Sequence, residues 1–186
     1  MTAWIVGFDL SLTAPAAVAL PLNWKPGDWK QMRACHIAPK APKGDDVRGR
    51  LDRYILISEW APAVIEALGV PRHKMPTAVK VYVEDYGYSR SNAQASKVME
   101  SGGVVKVELY KRLGLTMTPV SSSEARKLTL GFNPRKPKHD AKVVIQDTIF
   151  NKFGAPKTLT EDECDALIVV QFGLSQEGGK ILTLST

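Results

Sequence analysis

Cysteine is scarce in this chain of 186 residues, which has only Cys35 and Cys164. Two cysteines cannot form the disulfide framework of a small secreted domain. The three histidines, His36, His73 and His139, show no zinc-type spacing with either cysteine. We therefore expect reduced thiols and no structural zinc.

Long apolar runs are also missing. None approaches the roughly 20 residues that a membrane helix needs, and the N-terminus lacks a basic region followed by a cleavable apolar stretch. These absences predict a cytoplasmic protein with no membrane partner. A chain of this length with 44% hydrophobic residues can bury one sizeable core and has little left for a second. We expect a single domain over residues 1–186.

Acidic residues are the minority, with 19 against 25 basic residues and a net charge of +6. The segment from Lys106 to Lys142 has nine basic and three acidic residues, a surplus equal to that of the whole chain. Such clustering is typical of a surface that binds a phosphate backbone, and it is as typical of a solvated basic face. The charge pattern alone does not choose between them.

Apolar periodicity predicts strands early in the chain and helices later. The first two strands are separated by a short turn and form a hairpin. The expected strands are 3–10, 14–20, 31–37, 78–88 and 115–120, and the expected helices are 46–68, 91–113, 121–130, 139–153 and 160–174. Strands joined through helices imply an α/β fold with a mixed sheet covered by helices.

Four acidic residues lie where apolar segments begin or end. Asp9 interrupts the apolar run IVGFDLSLTA, and strand alternation points it towards a helix layer or a cleft. Glu84 ends the strand VKVYVE, and sites in open α/β sheets collect at such carboxyl ends. Asp162 and Asp165 lie three residues apart at the start of an apolar helix, so they share one face.

Each of these acids has an ordinary explanation when it is taken singly. Asp9 can be a turn former at a strand end, and Glu84 can be a strand terminus. Asp162 and Asp165 can belong to an acidic first helical turn that complements the helix dipole. Taken together they fit less well, because a carboxylate inside an apolar strand is costly unless it is paired or metal-bound. Clustered carboxylates also raise one another's pKa values unless cations lie between them. The set therefore favours a site for Mg²⁺ or Mn²⁺.

Five segments, in order, resemble the RuvC-type Holliday junction resolvases of the ribonuclease H-like superfamily. They are GFDLSLT, VYVEDYGYS, ESGGVVKVELYKRLG, TPVSSSEARKLTLG and EDECDALIVV, and the likeness spans about residues 5–172. The resemblance implies a three-layer fold with a five-stranded mixed sheet, a homodimer, and resolution of four-way DNA junctions by paired symmetric nicks. It also implies two Mg²⁺ ions per site, replaceable by Mn²⁺, bound by Asp9, Glu84, Asp162 and Asp165.

Two segments depart from the family pattern. Bacterial resolvases usually have a glycine shortly after the first Asp, but here Asp9 is followed by Leu10, Ser11, Leu12 and Thr13. This is more similar to divergent phage proteins, so we interpret the chain as phage-encoded. The segment GFNPRKPKHD is longer and more basic than the family loop, so a cleavage preference does not transfer to this chain.

Basic and aromatic residues complete the resemblance. Lys127 and Lys138 match the family's basic positions, with Lys142 as the alternative, and we predict that they stabilise charge on the scissile phosphate. Simple solvated lysines are the other interpretation. Tyr86 and Tyr88 follow Glu84, where an aromatic ring can stack on an unpaired base or pack against the strand end. Further predicted DNA contacts are Arg90, Arg126, Arg135, Lys136 and Lys142.

Gly102 and Gly103 lie inside a predicted helix, where each costs about 1 kcal/mol relative to alanine. Close approach of a second helix at a dimer interface is one explanation. A break into two helices is the other.

Three other functions stay open from the sequence. A less selective branched-DNA or flap endonuclease would use the same acids. A phosphotransferase of the actin or sugar-kinase type would also carry an Asp on its first strand, but it needs two such domains and a longer chain. A catalytically silent DNA-binding module would tolerate the loss of the acids.

Overall fold

The computed structural model describes residues 2–39, 47–85, 92–132 and 138–183, with the backbone alone for 92–97 and 138–140. The strands are β1 (Trp4–Asp9), β2 (Ala16–Pro21), β3 (Arg33–His36), β4 (Val79–Asp85) and β5 (Met117–Ser121). The helices are α1 (Val47–Glu66), α2 (Met75–Ala78), α3 (Asn92–Leu113), α4 (Ser122–Leu130), α5 (Lys138–Asp147) and α6 (Glu161–Gln176).

The five strands form one mixed sheet in the order β3-β2-β1-β4-β5. β1 and β2 pair as an antiparallel hairpin, and β3 pairs antiparallel with β2. β4 pairs parallel with β1, and β5 pairs parallel with β4. The predicted hairpin and the five-stranded mixed sheet are therefore confirmed. The two central strands, β1 and β4, are rich in aromatic and β-branched residues, which suit a sheet that is covered on both faces.

Side-chain alternation divides the core between the two faces of the sheet. Val6 and Phe8 of β1 pack on one face with residues of α1 and α3. Ile5 points to the other face and packs with residues of α4, α5 and α6. The arrangement has three layers, with helices on both sides of the sheet, as the sequence predicts.

Helix α6 lies directly against the central strands because two glycines leave room for it. A Cβ atom at Gly7 would lie 2.6 Å from the carbonyl oxygen of Ala166. A Cβ atom at Gly173 would lie 2.7 Å from Cγ2 of Ile5. Ile5 therefore contacts the later part of α6, and Gly7, which is further along β1, contacts an earlier part of the helix. The first turn of α6 is therefore aimed at the end of β1 that carries Asp9.

Several features differ from the sequence-based expectations. Helix α3 runs without interruption through Gly102 and Gly103, so the interpretation of a break into two helices is wrong. The helix expected over 139–153 ends as an α-helix at Asp147 and continues as a π-helical turn over Thr148–Lys152. Short helical turns that the sequence does not predict precede β3 and β4, at Trp29–Gln31 and over Arg72–Ala78. They are too short to show a periodic pattern.

None of the helices in the described ranges combines the length and the apolar character required to span a bilayer.

Candidate active site

Asp9 and Glu84 lie at the carboxyl ends of two neighbouring parallel strands. Phe8 pairs with Val83 in the register of β1 and β4, and the two acids are the next residue on each strand. Asp9 is two residues after Gly7, so its side chain points to the face of the sheet that α6 covers. It is only 5% exposed. The topology therefore brings two acids from separate segments to one edge of the sheet.

The first turn of α6 carries the other two acids and is fixed by a capping box. The Thr160 hydroxyl accepts a hydrogen bond from the Glu163 backbone N–H at 3.2 Å, and the Glu163 carboxylate accepts one from the Thr160 N–H at 2.8 Å. Asp162 is half-buried, whereas Asp165 is buried. The cap holds this turn in place beside the sheet edge.

Glu84 and Asp165 interact electrostatically. Burial raises the pKa of Glu84, and the nearby charge of Asp165 raises it further. A hydrogen bond donated by the Ser122 hydroxyl, together with the charges of Arg126 and Lys142, opposes this increase in the pKa. β4 and α6 thus place the two carboxylates close enough for the charge of Asp165 to disfavour the ionised form of Glu84.

Two basic side chains from α4 and α5 face the acids of α6. Arg126 Nη2 lies 3.2 Å from Asp165 Oδ1, and it opposes the increase that burial causes in the pKa of Asp165. Lys142 Nζ lies 3.0 Å from Glu161 Oε2 and 3.3 Å from Asp162 Oδ1. Burial lowers the pKa of Lys142, but the two carboxylates outweigh this effect and raise it. Each α6 acid of the candidate site therefore already has a cationic partner.

The structure places the other predicted site residues as follows. Lys127 is exposed on α4, next to Arg126. Lys138 begins α5, but its side chain is outside the described part of the chain. The remaining predicted DNA contacts also lie outside the described residues: Tyr86, Tyr88, Arg90, Arg135 and Lys136.

Sequence analysis missed two contacts in the candidate site. The sequence pattern gives no indication of Ser122, and it predicts Arg126 only as a DNA contact. The two residues are four apart on α4 and so lie on one face, which is a signal in the sequence. Which face of α4 meets α6 follows only from tertiary packing.

The donor chemistry of the site fits a hard divalent cation, because buried carboxylate oxygens that repel one another are stabilised by added positive charge. Among the residues that the structure describes, however, no group of three or more His, Cys, Asp or Glu side chains is arranged as a metal centre. The convergence of Asp9, Glu84, Asp162 and Asp165 on shared ions stays a prediction.

The five-stranded mixed sheet with helices on both faces matches the fold of RuvC. Among solved structures, the chain is similar to Thermus thermophilus RuvC, with a TM-score of 0.61 and 17% identity over 96% of this chain and 99% of that chain. It is also similar to T. thermophilus RuvC in complex with a Holliday junction substrate, with a TM-score of 0.63 and 17% identity over 97% of this chain and 99% of that chain. No family model and no curated protein matches the chain.

Proposed function

We propose that the chain is a metal-dependent endonuclease that resolves four-way DNA junctions by paired symmetric nicks. The observation that carries the proposal is the pair of half-buried Glu84 and buried Asp165 at the carboxyl edge of the sheet, with buried Asp9 on the adjacent strand. The fold is that of RuvC, and one RuvC structure of this fold holds a Holliday junction substrate. A neutral residue would fill the same buried position at a lower free-energy cost, so the acids at this edge favour a functional role.

The residues proposed to hold two Mg²⁺ ions, or Mn²⁺ in their place, are Asp9, Glu84, Asp162 and Asp165. Bound ions of this kind supply an activated water and stabilise the leaving oxygen of a phosphodiester. The mechanism requires no covalent enzyme intermediate.

The other residues of the site orient and balance these acids. The hydroxyl of Ser122 holds one oxygen of the Glu84 carboxylate and favours its ionised form. Arg126 and Lys142 supply positive charge beside Asp165 and Asp162. This charge supports a role in stabilising the scissile phosphate, where removal of one electrostatic partner typically costs on the order of 10²-fold in rate.

Several predicted contacts to DNA stay predictions from the sequence. Lys127 and Lys138 are proposed phosphate contacts near the site, and the tyrosines are proposed to stack on an unpaired base. The complete set outside the described side chains is Lys138, Tyr86, Tyr88, Arg90, Arg135 and Lys136. A phage source, a single domain over residues 1–186 and a cytoplasmic location also stay predictions.

A homodimer would supply two copies of the site for two cuts in opposing strands. Helix α3 carries an exposed apolar stripe of Met99, Val107 and Tyr110, which are 61%, 49% and 66% exposed. Gly103 shares this stripe by its spacing, and nothing lies within 4 Å of a Cβ atom built on it. Helix α1, which packs beside α3, adds the exposed residues Val47, Leu51 and Ile55. We propose that this α1/α3 face contacts a second copy of the chain.

Val107→Asp is expected to weaken the dimer by at least about tenfold, because a charge would be buried at the centre of an apolar contact. Sedimentation equilibrium over a concentration series measures this. The matched control is Val143→Asp on α5, which is 52% exposed on the other side of the sheet and should leave the dimer intact. A Val107→Asp protein that dimerises as tightly as the wild type would exclude the α1/α3 face.

The proposed function is tested with synthetic four-way junctions, forks, flaps and duplexes incubated side by side with Mg²⁺. We expect paired nicks at symmetric positions in the junction and much slower cutting of the other substrates. Equal cutting of forks and flaps would favour the less selective endonuclease. Tight binding without any cutting would favour the DNA-binding module. In either case binding should weaken steeply with salt, because phosphate neutralisation supplies most of the affinity.

A further inference from the structure

The acids of α6 are neutralised from within the protein by side chains of neighbouring helices. Arg126 pairs with Asp165 from α4, and Lys142 pairs with Asp162 from α5. A carboxylate that is removed from water needs such a partner, and removal of one member of a buried pair leaves a costly unpaired charge. Arg126 and Lys142 therefore supply the positive charge that a bound cation would otherwise supply.

The two pairs are not equivalent. The Asp165 side chain is 9% exposed, and Arg126 is the only cationic partner within salt-bridge distance of it in the described part of the chain. Lys142 instead divides its contacts between Asp162 and Glu161, and the Glu161 side chain is 43% exposed. Asp165 has therefore lost more of its hydration than Glu161, and its contact with Arg126 compensates for more of that loss than either contact of Lys142 does.

We propose that Arg126 is an intramolecular competitor of the divalent ion for Asp165. Its guanidinium neutralises Asp165 while the ion is absent and leaves that carboxylate when the ion binds. This inference rests on the proposed function in so far as it assumes that Asp165 binds a metal. The inference adds that Arg126 lowers the affinity of the site for the metal ion.

The displaced side chain has a use in the same reaction. The guanidinium donates in a planar fork that matches the oxygens of a phosphate, and its side chain is 22% exposed, so it reaches solvent. Under the proposed function the guanidinium is then available to the scissile phosphate only when the ion is in place. Metal binding and substrate binding would be coupled through one side chain.

The test measures metal affinity without DNA, by calorimetric titration of Mn²⁺ into the whole chain at about pH 8. Arg126→Gln is expected to bind Mn²⁺ about tenfold more tightly than the wild type, since a hydrogen bond between charged groups no longer has to be broken. The control is Lys152→Gln, which removes one positive charge from an exposed position outside the site and should change the affinity by less than about twofold.

A second measurement follows the Arg126 side chain in the wild type and uses the variant only to assign its signal. The Nε–Hε NMR signal of Arg126, assigned by its loss in Arg126→Gln, should shift on titration of the wild type with Mg²⁺. The inference is overturned if Arg126→Gln binds Mn²⁺ no more tightly than the wild type, if Lys152→Gln gains as much affinity, or if neither the wild type nor Arg126→Gln binds Mn²⁺. Because no DNA is present, a chain that fails to cut junctions but shows the tenfold gain would refute the proposed function and leave this inference standing.

Discussion

Asp165→Asn is expected to reduce the rate of cleavage of a four-way junction in Mg²⁺ by at least about 10²-fold, and Asp9→Asn is expected to do the same. Asparagine preserves the size of the side chain but removes the anionic oxygen that the proposed ions need, which corresponds to several kcal/mol of transition-state stabilisation. Both acids are buried, at 7% and 5% exposure, so neither has an exposed-surface role to complicate the result. Single-turnover rates on a labelled junction measure the effect.

The matched control for these substitutions is Asp85→Asn. Asp85 is the last residue of β4, next to Glu84, but it is exposed and alternation turns it away from the face that α6 covers. We expect its rate to stay within about twofold of the wild type. Junction binding by all three variants should persist. Symmetric nicking by Asp165→Asn at the wild-type rate would remove the acid cluster as the catalytic centre, and an equal loss in Asp85→Asn would indicate a general effect on charge or folding.

Much of the fold follows from the sequence because its signals are local. β1 is a continuous apolar run up to Asp9, and β4 is apolar up to Glu84 except for the exposed Lys80, as strands buried on both faces require. Alternation then gives the direction in which Asp9 points, and the i, i+3 spacing of Asp162 and Asp165 gives their common face. The parallel pairing of β1 and β4 explains why two acids 75 positions apart in sequence become neighbours.

The contacts around the acids are not local, so the sequence indicates them poorly. Lys127 and Arg126 are neighbours in sequence, but successive helical residues point about 100° apart, and only Arg126 is turned towards Asp165. A similarity between short motifs shifts easily by one position, which is enough to exchange these two residues. The Ser122 contact with Glu84 likewise depends on how α4 packs at the end of β5.

Gly7 is a further residue whose role appears only in three dimensions, and Gly7→Ala is expected to lower the free energy of unfolding by about 2–3 kcal/mol. The new Cβ would meet Ala166 O at 2.6 Å, Val170 Cγ2 at 2.7 Å and Val170 N at 2.9 Å. Two of these atoms belong to the backbone of α6, which cannot rotate away as a side chain can. The helix must move outwards as a unit, and Asp165 moves with it. We therefore expect junction cleavage to fall as well, even at temperatures where the variant is folded.

Gly102→Ala is the matched control, since nothing lies within 4 Å of a Cβ atom at Gly102 in the middle of α3. The same substitution should there stabilise the chain by up to about 1 kcal/mol through helix propensity. Urea unfolding of both variants in the Val107→Asp background measures the difference without a contribution from dimer dissociation. Opposite signs of the two changes would support close packing of α6 on β1 as the contact that positions the start of α6 against the end of β1 that carries Asp9. A Gly7→Ala chain as stable as its parent would mean that α6 tolerates displacement, and its cleavage rate would then test directly whether the spacing of the acids matters.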